Sequence, residues 1–123
     1  MKKRVLIVDD DPDIIYSVKS GLEDIDPSFV VTGAGGGEEC LELLKTERPD
    51  LILMDIMMPE IDGWDTTARI KENEELKGIP IIFLTAKTDS LSKGMGMLTS
   101  EDYIVKPFDT VDLKNRIDTV LAK

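Results

Sequence analysis

Residues 5–11 read VLIVDDD, a run of four apolar residues that stops at three aspartates. A run this short, rich in β-branched side chains, is typical of a strand that is buried on both faces of a sheet. The same pattern occurs at residues 51–55, LILMD, where a second apolar run ends at Asp55. Both stretches predict buried strands that end in carboxylates.

Outward from these two strands, short apolar runs alternate with segments of helical periodicity. The predicted strands are Val5–Val8, Phe29–Thr32, Leu51–Met54, Ile79–Leu84 and Tyr103–Val105. The first predicted helix starts near Asp11 or Pro12 and carries an apolar stripe of Ile14, Ile15, Val18 and Leu22. Three more are predicted at Glu38–Glu47, at about Gly63–Glu72, with the apolar face Trp64, Ala68 and Ile70, and at Thr88–Leu98. The last predicted helix has Leu113, Ile117, Val120 and Leu121 on one face. Parallel neighbours need a crossover, which a helix supplies. The pattern therefore predicts an α/β fold: one three-layer (βα)5 domain whose parallel five-stranded sheet is covered on both faces.

The composition sets limits on what this domain does. The chain has 123 residues, 41% of them hydrophobic, which predicts a single domain over 1–123, and we expect no output domain after Lys106. A net charge of -10 repels phosphate backbones and anionic lipids, so direct binding of nucleic acid or of a membrane is disfavoured. The lone Cys40 is expected to be a buried filler, which fits a reducing cytoplasm. The apolar run after the N-terminal MKKR is too short for a signal peptide.

Four of the predicted strands end in polar residues. They are Asp9 and Asp10, Asp55, Thr85, and Lys106. Each alone is ordinarily a helix cap, a turn residue or a solvated side chain. Together they indicate a site, because open parallel sheets bind their ligands beyond the carboxyl ends of the strands.

The residue types of this group point to phosphoryl chemistry with a divalent cation. Carboxylates crowded into one site repel one another, and oxygen ligands of this kind suit Mg²⁺. One carboxylate could then attack a phosphoryl group while the metal and a lysine balance the charge on its oxygens. The chain contains no histidine, which excludes a histidine acid, base or metal ligand.

Five segments of the chain resemble the signature segments of response-regulator receiver domains. They are VLIVDDD at 5–11, LMDIMMP at 53–59, Asp62-Gly63, LTA at 84–86 and DYIVKPF at 102–108. The resemblance implies a flavodoxin-like strand order of 2-1-3-4-5. It also implies two-component signalling in a phosphorelay, with a sensor histidine kinase or a phosphotransfer protein as the phosphoryl donor.

The resemblance assigns a role to each site residue. Asp55 matches the phosphoacceptor and is also expected to be a ligand of Mg²⁺. Asp10 and Asp9 match the acidic pair that holds Mg²⁺, with Asp10 the direct ligand and Asp9 acting partly through water, and Met57 would offer its backbone carbonyl. Lys106 matches the lysine that pairs with the phosphoryl group or with Asp55 itself, and its bond to the following proline is expected to be cis.

Thr85 and Tyr103 match the switch pair of the family. On phosphorylation the Thr85 hydroxyl would move towards Asp55 and vacate space for the Tyr103 ring. The altered surface would be the face formed by the predicted helix Thr88–Leu98, the fifth strand and the last helix, where an unidentified downstream protein would bind. Such a protein assists its own phosphoryl transfer and is not a conventional turnover enzyme.

Two other functions remain open at this point. Asp9-Asp10-Asp11 contains the Asp-x-Asp pattern of haloacid-dehalogenase phosphatases, in which Asp9 would be the nucleophile and Asp11 the acid/base. The chain is short for that class and has no cap domain. The other alternative is an interaction module that works without phosphorylation, but such a module would need none of the strand-end residues.

Several features have simpler interpretations or depart from the family pattern. Asp11 and Asp13 are expected to cap the first helix, and Trp64 is expected to pack structurally. The tract Gly33–Gly37 lacks the ending of a phosphate-binding loop and is interpreted as a flexible turn. Two glycines within Thr88–Leu98 suggest that this helix is frayed, so that partner binding would order its face.

Overall fold

The computed structural model describes residues 2–86 and 102–123. Its strands are β1 (Lys3–Val8), β2 (Phe29–Ala34), β3 (Leu51–Asp55), β4 (Ile81–Ala86) and β5 (Asp102–Lys106), and its described helices are α1 (Pro12–Ile25), α2 (Gly37–Leu43), α3 (Gly63–Glu72) and α4 (Thr110–Leu121). All strand pairs are parallel, in the order β2-β1-β3-β4-β5. The predicted α/β class and flavodoxin-like strand order are confirmed, whereas the predicted helix Thr88–Leu98 and its loosened face lie outside the described residues.

Strict alternation along the strands divides the core into two layers. Successive side chains of a strand point to opposite faces of the sheet. One face carries the cluster under α1 and α4, which includes Val5, Ile7, Leu53, Leu84, Leu22 and Ile117. The other face carries the cluster under α2 and α3, which includes Leu6, Val8, Met54, Phe83, Cys40 and Ile70. Because β1 and β3 are buried on both faces, they form the fixed centre from which the strand ends project.

Aspartate side chains begin three of the described helices. Asp11 accepts a hydrogen bond from the Asp13 N–H at 2.9 Å at the start of α1, as predicted. Asp62 and Asp109 are the corresponding caps of α3 and α4. Each carboxylate satisfies a backbone donor that the helix itself leaves unpaired. These caps fix where each helix starts after its strand.

The bounds of all five strands differ from the prediction by one or two residues, and the differences at β2 and β4 have clear physical causes. β2 continues through Gly33 and Ala34, which were predicted to belong to a turn, because the ladder with β1 extends to the pair Val8–Ala34. β4 begins at Ile81 and not at Ile79, because the intervening Pro80 has no N–H for the ladder. The Pro80 carbonyl still accepts from the Ile52 N–H at 3.0 Å.

Two helix predictions also need correction. α2 ends at Leu43 and not at Glu47, since the following residues form tighter turns and the residue before Pro49 is biased away from helical geometry. In α3, Ala68 is exposed, and the buried face is made instead by Thr66, Thr67 and Ile70.

Within residues 2–86 and 102–123, the structure contains no helix with the length and apolarity that a membrane span requires.

Candidate functional site

The carboxyl ends of β1, β3 and β5 bring three of the predicted residues into direct contact. Asp9 directly follows β1, Asp55 is the last residue of β3, and Lys106 is the last residue of β5. The Lys106 ammonium donates to Asp9 Oδ2 at 2.8 Å and to Asp55 Oδ1 at 3.2 Å. The lysine therefore reaches across β4 to bridge the two neighbouring strands at the centre of the sheet.

Three carboxylates form a cluster at these strand ends. One oxygen from each of Asp9, Asp10 and Asp55 lies within 4.8 Å of the others. Asp9 and Asp55 are buried, with 1% and 5% of their surface exposed, whereas Asp10 faces solvent. Asp9 is further fixed by the Asp11 N–H, which donates to its Oδ1 at 2.9 Å. The site is therefore closed to solvent at Asp9 and Asp55 and open to solvent at Asp10.

The electrostatics of the site show a deficit of positive charge. Burial and, after it, the negative charge of Asp9 raise the pKa of Asp55 from 3.8 to about 6, because Lys106 only partly offsets these two effects. Burial acts to lower the pKa of Lys106, but its bond to Asp9 and the nearby charge of Asp55 raise it above the usual value. A single ammonium group thus faces three carboxylates.

This donor set fits a hard divalent cation. Carboxylate oxygens are the ligands that Mg²⁺ prefers, and Mg²⁺ keeps several waters, which the open side at Asp10 would admit. Met57 lies two residues beyond Asp55, and its side chain is exposed. The thioether is therefore directed to solvent and leaves the backbone carbonyl as the candidate ligand from this residue.

The predicted switch pair lies beside the acidic group. Thr85 is buried in β4, the strand between Asp55 and Lys106. Tyr103 is partly buried in β5, pairs in register with Phe83 and packs against the core cluster under α2 and α3. The Lys106–Pro107 bond is cis, as expected. Thr85 is thus on the strand next to the acceptor strand, and Tyr103 is on the strand beyond it.

Trp64 and Gly63 lie outside the acidic group and support the structure around it. Trp64 packs against Phe83 with ring centroids 4.6 Å apart, which agrees with the structural interpretation of this residue. Sequence reasoning missed Gly63, whose N–H donates to the Ile56 carbonyl at 2.8 Å directly behind the acceptor. The dipeptide Asp62-Gly63 is one of the signature segments in the sequence. The hydrogen bond from Gly63 to Ile56 depends on how the loop closes, however, and the spacing of residues in the sequence does not show this.

The family comparison agrees with this geometry. A family model described as the response regulator receiver domain matches residues 5–118. The chain belongs to this family. It is therefore a receiver domain of two-component signalling.

Individual relatives extend the match. The chain is 34% identical to the alkaline phosphatase synthesis transcriptional regulatory protein PhoP of Bacillus subtilis (strain 168), over 100% of this chain and 50% of that protein. It is 42% identical to the probable transcriptional regulator ycf27 of Guillardia theta, over 99% of this chain and 46% of that protein. The chain thus spans about half the length of these curated relatives.

A solved structure supports the fold over nearly the whole domain. The CheY-like response regulator receiver domain protein of Methanospirillum hungatei JF-1 is 38% identical and superposes with a TM-score of 0.83. The match covers 97% of this chain and 94% of that one. The two chains therefore share the receiver fold.

Proposed function

We propose that this receiver domain is a phosphorylation-dependent switch that accepts a phosphoryl group on Asp55. The donor is a sensor histidine kinase, a phosphotransfer protein or a small phosphodonor. One observation carries the proposal: Lys106 bridges Asp9 and the buried Asp55 at the strand ends, with Asp10 completing a group of three carboxylates. An interaction module would gain nothing from crowding these charges, which raises the pKa of Asp55.

In the proposed reaction, an Asp55 carboxylate oxygen attacks the phosphorus of the donor. A new oxygen–phosphorus bond forms while the bond from phosphorus to the donor atom breaks, and the electron pair leaves with the donor. Lys106 already donates to Asp55, so its ammonium group is placed to donate to the transferred oxygens. Asp55 must be ionised to attack, and its pKa of about 6 leaves it ionised at neutral pH.

Asp9, Asp10, Asp55 itself and the backbone carbonyl of Met57 would hold Mg²⁺. The bound ion would supply positive charge that balances both the carboxylates and the phosphoryl oxygens. Asp9 is fixed from two sides, by Lys106 and by the Asp11 N–H. Asp10 is exposed and free to turn towards a hydrated ion.

The phosphorylated state would be reported on the surface around β5. Thr85 would move to the phosphoryl group, and the Tyr103 ring would follow it inward. A groove of about 450 Å³ borders Tyr103 and is lined also by Phe108, Asp112 and Arg116 of the α4 side. We propose this face as the place where a downstream protein reads the switch, with residues 1–123 acting as one receiver domain in the cytoplasm and without direct contact to nucleic acid or membranes.

The proposal is tested by intact-mass measurement after incubation with acetyl phosphate and Mg²⁺. We expect one phosphoryl group on the wild type, none on Asp55→Asn, and a much slower reaction without Mg²⁺ or in Asp10→Ala. Asp13→Asn, which removes an exposed carboxylate from the same end of α1, is the matched control and should react as the wild type does.

Each of the other functions predicts a different result. Steady hydrolysis of phosphomonoesters that survives Asp55→Asn would favour a dehalogenase-type phosphatase with Asp9 as nucleophile. A wild type that takes up no phosphoryl group from any donor would favour the passive interaction module. Either result would refute the switch as proposed.

A further inference from the structure

The loop that follows the acceptor is held in a strained and partly buried conformation. Residues 56–62, here called the acceptor loop, link β3 to α3. Ile56 and Met58 are buried, so the main chain of the exposed Met57 between them is anchored on both sides. Glu60 has a φ of 68°, a left-handed conformation that costs a side-chain-bearing residue energy and persists only where the surroundings enforce it. Contacts with neighbouring segments must therefore hold the loop.

The first such contact is made by Gly63 at the end of the acceptor loop. Its N–H donates to the Ile56 carbonyl at 2.8 Å. A Cβ atom at this position would lie 2.8 Å from the Ile56 Cα and would overlap the Asp55 carbonyl oxygen. Since both neighbours are backbone atoms, no change of rotamer could relieve the overlap. The start of α3 therefore lies directly on the peptide of the acceptor.

The second contact is made by Gly37, the last residue of the glycine tract that the proposed function does not use. A Cβ atom at Gly37 would lie 2.6 Å from Cγ1 of Ile61 and even closer to the hydroxyl of Thr66. Thr66 is fully buried, and its hydroxyl donates to the Asp62 carbonyl at 2.8 Å. Thr66 could move away only by giving up this hydrogen bond, and Ile61 only by changing the packing of its partly buried side chain at the end of the acceptor loop.

The preceding part of the glycine tract does not touch the loop in this way. A groove of about 250 Å³ opens where residues 35 and 36 face Pro59 and Glu60. A Cβ atom at Gly36 would meet nothing within 4 Å, and its φ of 177° is extended backbone that any residue adopts. Gly36 and Gly37 are adjacent in sequence, yet only the second packs against the loop.

We propose that Gly37 is a positioning residue for the metal and phosphoryl site. The absence of a side chain lets α2 press on Ile61 and Thr66, which holds the acceptor loop and with it the Met57 carbonyl beside Asp55. Mg²⁺ demands near-ideal octahedral geometry, so a small shift of one ligand reduces affinity strongly. This inference rests on the proposed function and assigns Gly37, the end of a tract that the sequence alone presents as a flexible turn, to that same site.

The test compares Gly37→Ala with Gly36→Ala by NMR titration with MgCl₂ alone. We expect Gly37→Ala to raise the Kd for Mg²⁺ by about 10-fold or more, the range seen when residues that orient metal ligands are replaced. Gly36→Ala should stay within about twofold of the wild type, because the new methyl group enters open space. In the metal-free protein, the Gly63 amide should exchange faster with solvent in Gly37→Ala only.

Two further variants separate positioning from a general loss of stability. Val18→Ala weakens the core on the opposite face of the sheet and should leave the Mg²⁺ Kd unchanged. Ile61→Ala removes the partly buried side chain that Gly37 contacts and adds no atoms, so it should fold and should also weaken Mg²⁺ binding. This variant keeps the test decisive if Gly37→Ala does not fold.

The outcomes distinguish the inference from the function on which it rests. A folded Gly37→Ala or Ile61→Ala with the wild-type Kd would overturn the positioning role while leaving the proposed function intact. Equal weakening in Val18→Ala would overturn it too, since stability alone would then explain the effect. A wild type that binds no Mg²⁺ would refute the proposed function and the positioning role together.

Discussion

Removing the charge of Asp55 should stabilise the fold. In the folded protein the pKa of Asp55 is raised from 3.8 to about 6, chiefly by burial and then by the charge of Asp9. A rise of about 2 units corresponds to about 3 kcal/mol of unfavourable energy for the ionised form. Relaxation around the charge reduces this value, so we expect Asp55→Asn to raise the free energy of unfolding by about 1.5–3 kcal/mol at pH 7.5. Lys106 keeps its bond to Asp9 in the variant, so no new unpaired charge is created.

The pH dependence of this effect has a defined sign. Because the folded-state pKa of Asp55 is the higher one, the folded protein holds an extra proton between pH 3.8 and about pH 6. The contribution of Asp55 to wild-type stability therefore falls as the pH rises through this window and is constant above it. Asp55→Asn lacks this dependence, so the two proteins should differ least near pH 4 and most above pH 6.

Thermal and urea denaturation in metal-free buffer at several pH values would measure the difference. At pH 7.5 we expect Tm to increase by about 5–12 °C for a domain of this size. Asp10→Asn, which removes an exposed carboxylate of the same group, is the matched control and should gain less than half as much. Equal stability of the wild type and Asp55→Asn above pH 6 would refute the reasoning that the acceptor site is electrostatically strained.

Three further predictions concern groups away from the acceptor. The buried Thr67 hydroxyl has no hydrogen-bond partner among the described residues, so Thr67→Val should raise the free energy of unfolding by about 1 kcal/mol in urea denaturation, and a loss of stability would contradict this. The Glu23 carboxylate accepts a hydrogen bond from the Val31 N–H of the edge strand at 3.0 Å, and this bond lowers the pKa of Glu23. The bond to the ionised carboxylate therefore stabilises the fold above about pH 4.3, and this contribution is lost as the pH falls. Glu23→Gln should thus weaken the fold at pH 7 but not at pH 3. An equal loss at both pH values would count against that account. Burial raises the pKa of Cys40 to about 12, so thiol reagents should label it only after denaturation, and rapid labelling of the folded protein would show that the thiol is accessible.

The fold was predictable because its signals are local. Short apolar runs separated by helical periodicity were sufficient for the α/β class, and α1 starts after the Asp11 cap that the sequence predicts. Periodicity alone did not give the order of the strands, which came from the family resemblance. The boundaries that failed depend on partners: β2 is extended by its ladder with β1, and α2 is cut short ahead of Pro49.

The candidate site was predictable in its residues but not in its contacts. The rule that ligands bind at the carboxyl ends of parallel strands selected Asp9, Asp55 and Lys106 from the sequence. That Lys106 bonds both carboxylates at once depends on side-chain reach across β4, which no spacing reveals. The difference between Gly36 and Gly37 likewise depends on what each faces in three dimensions.

The central claim is that Asp55 itself carries the phosphoryl group, and its location can be measured directly. The protein would be incubated with acetyl phosphate and Mg²⁺, the acyl phosphate reduced with borohydride, and the modified residue identified by peptide mass spectrometry. The account predicts a single reduced residue at position 55. A modification at Asp9 or Asp10, with Asp55 unmodified, would contradict it.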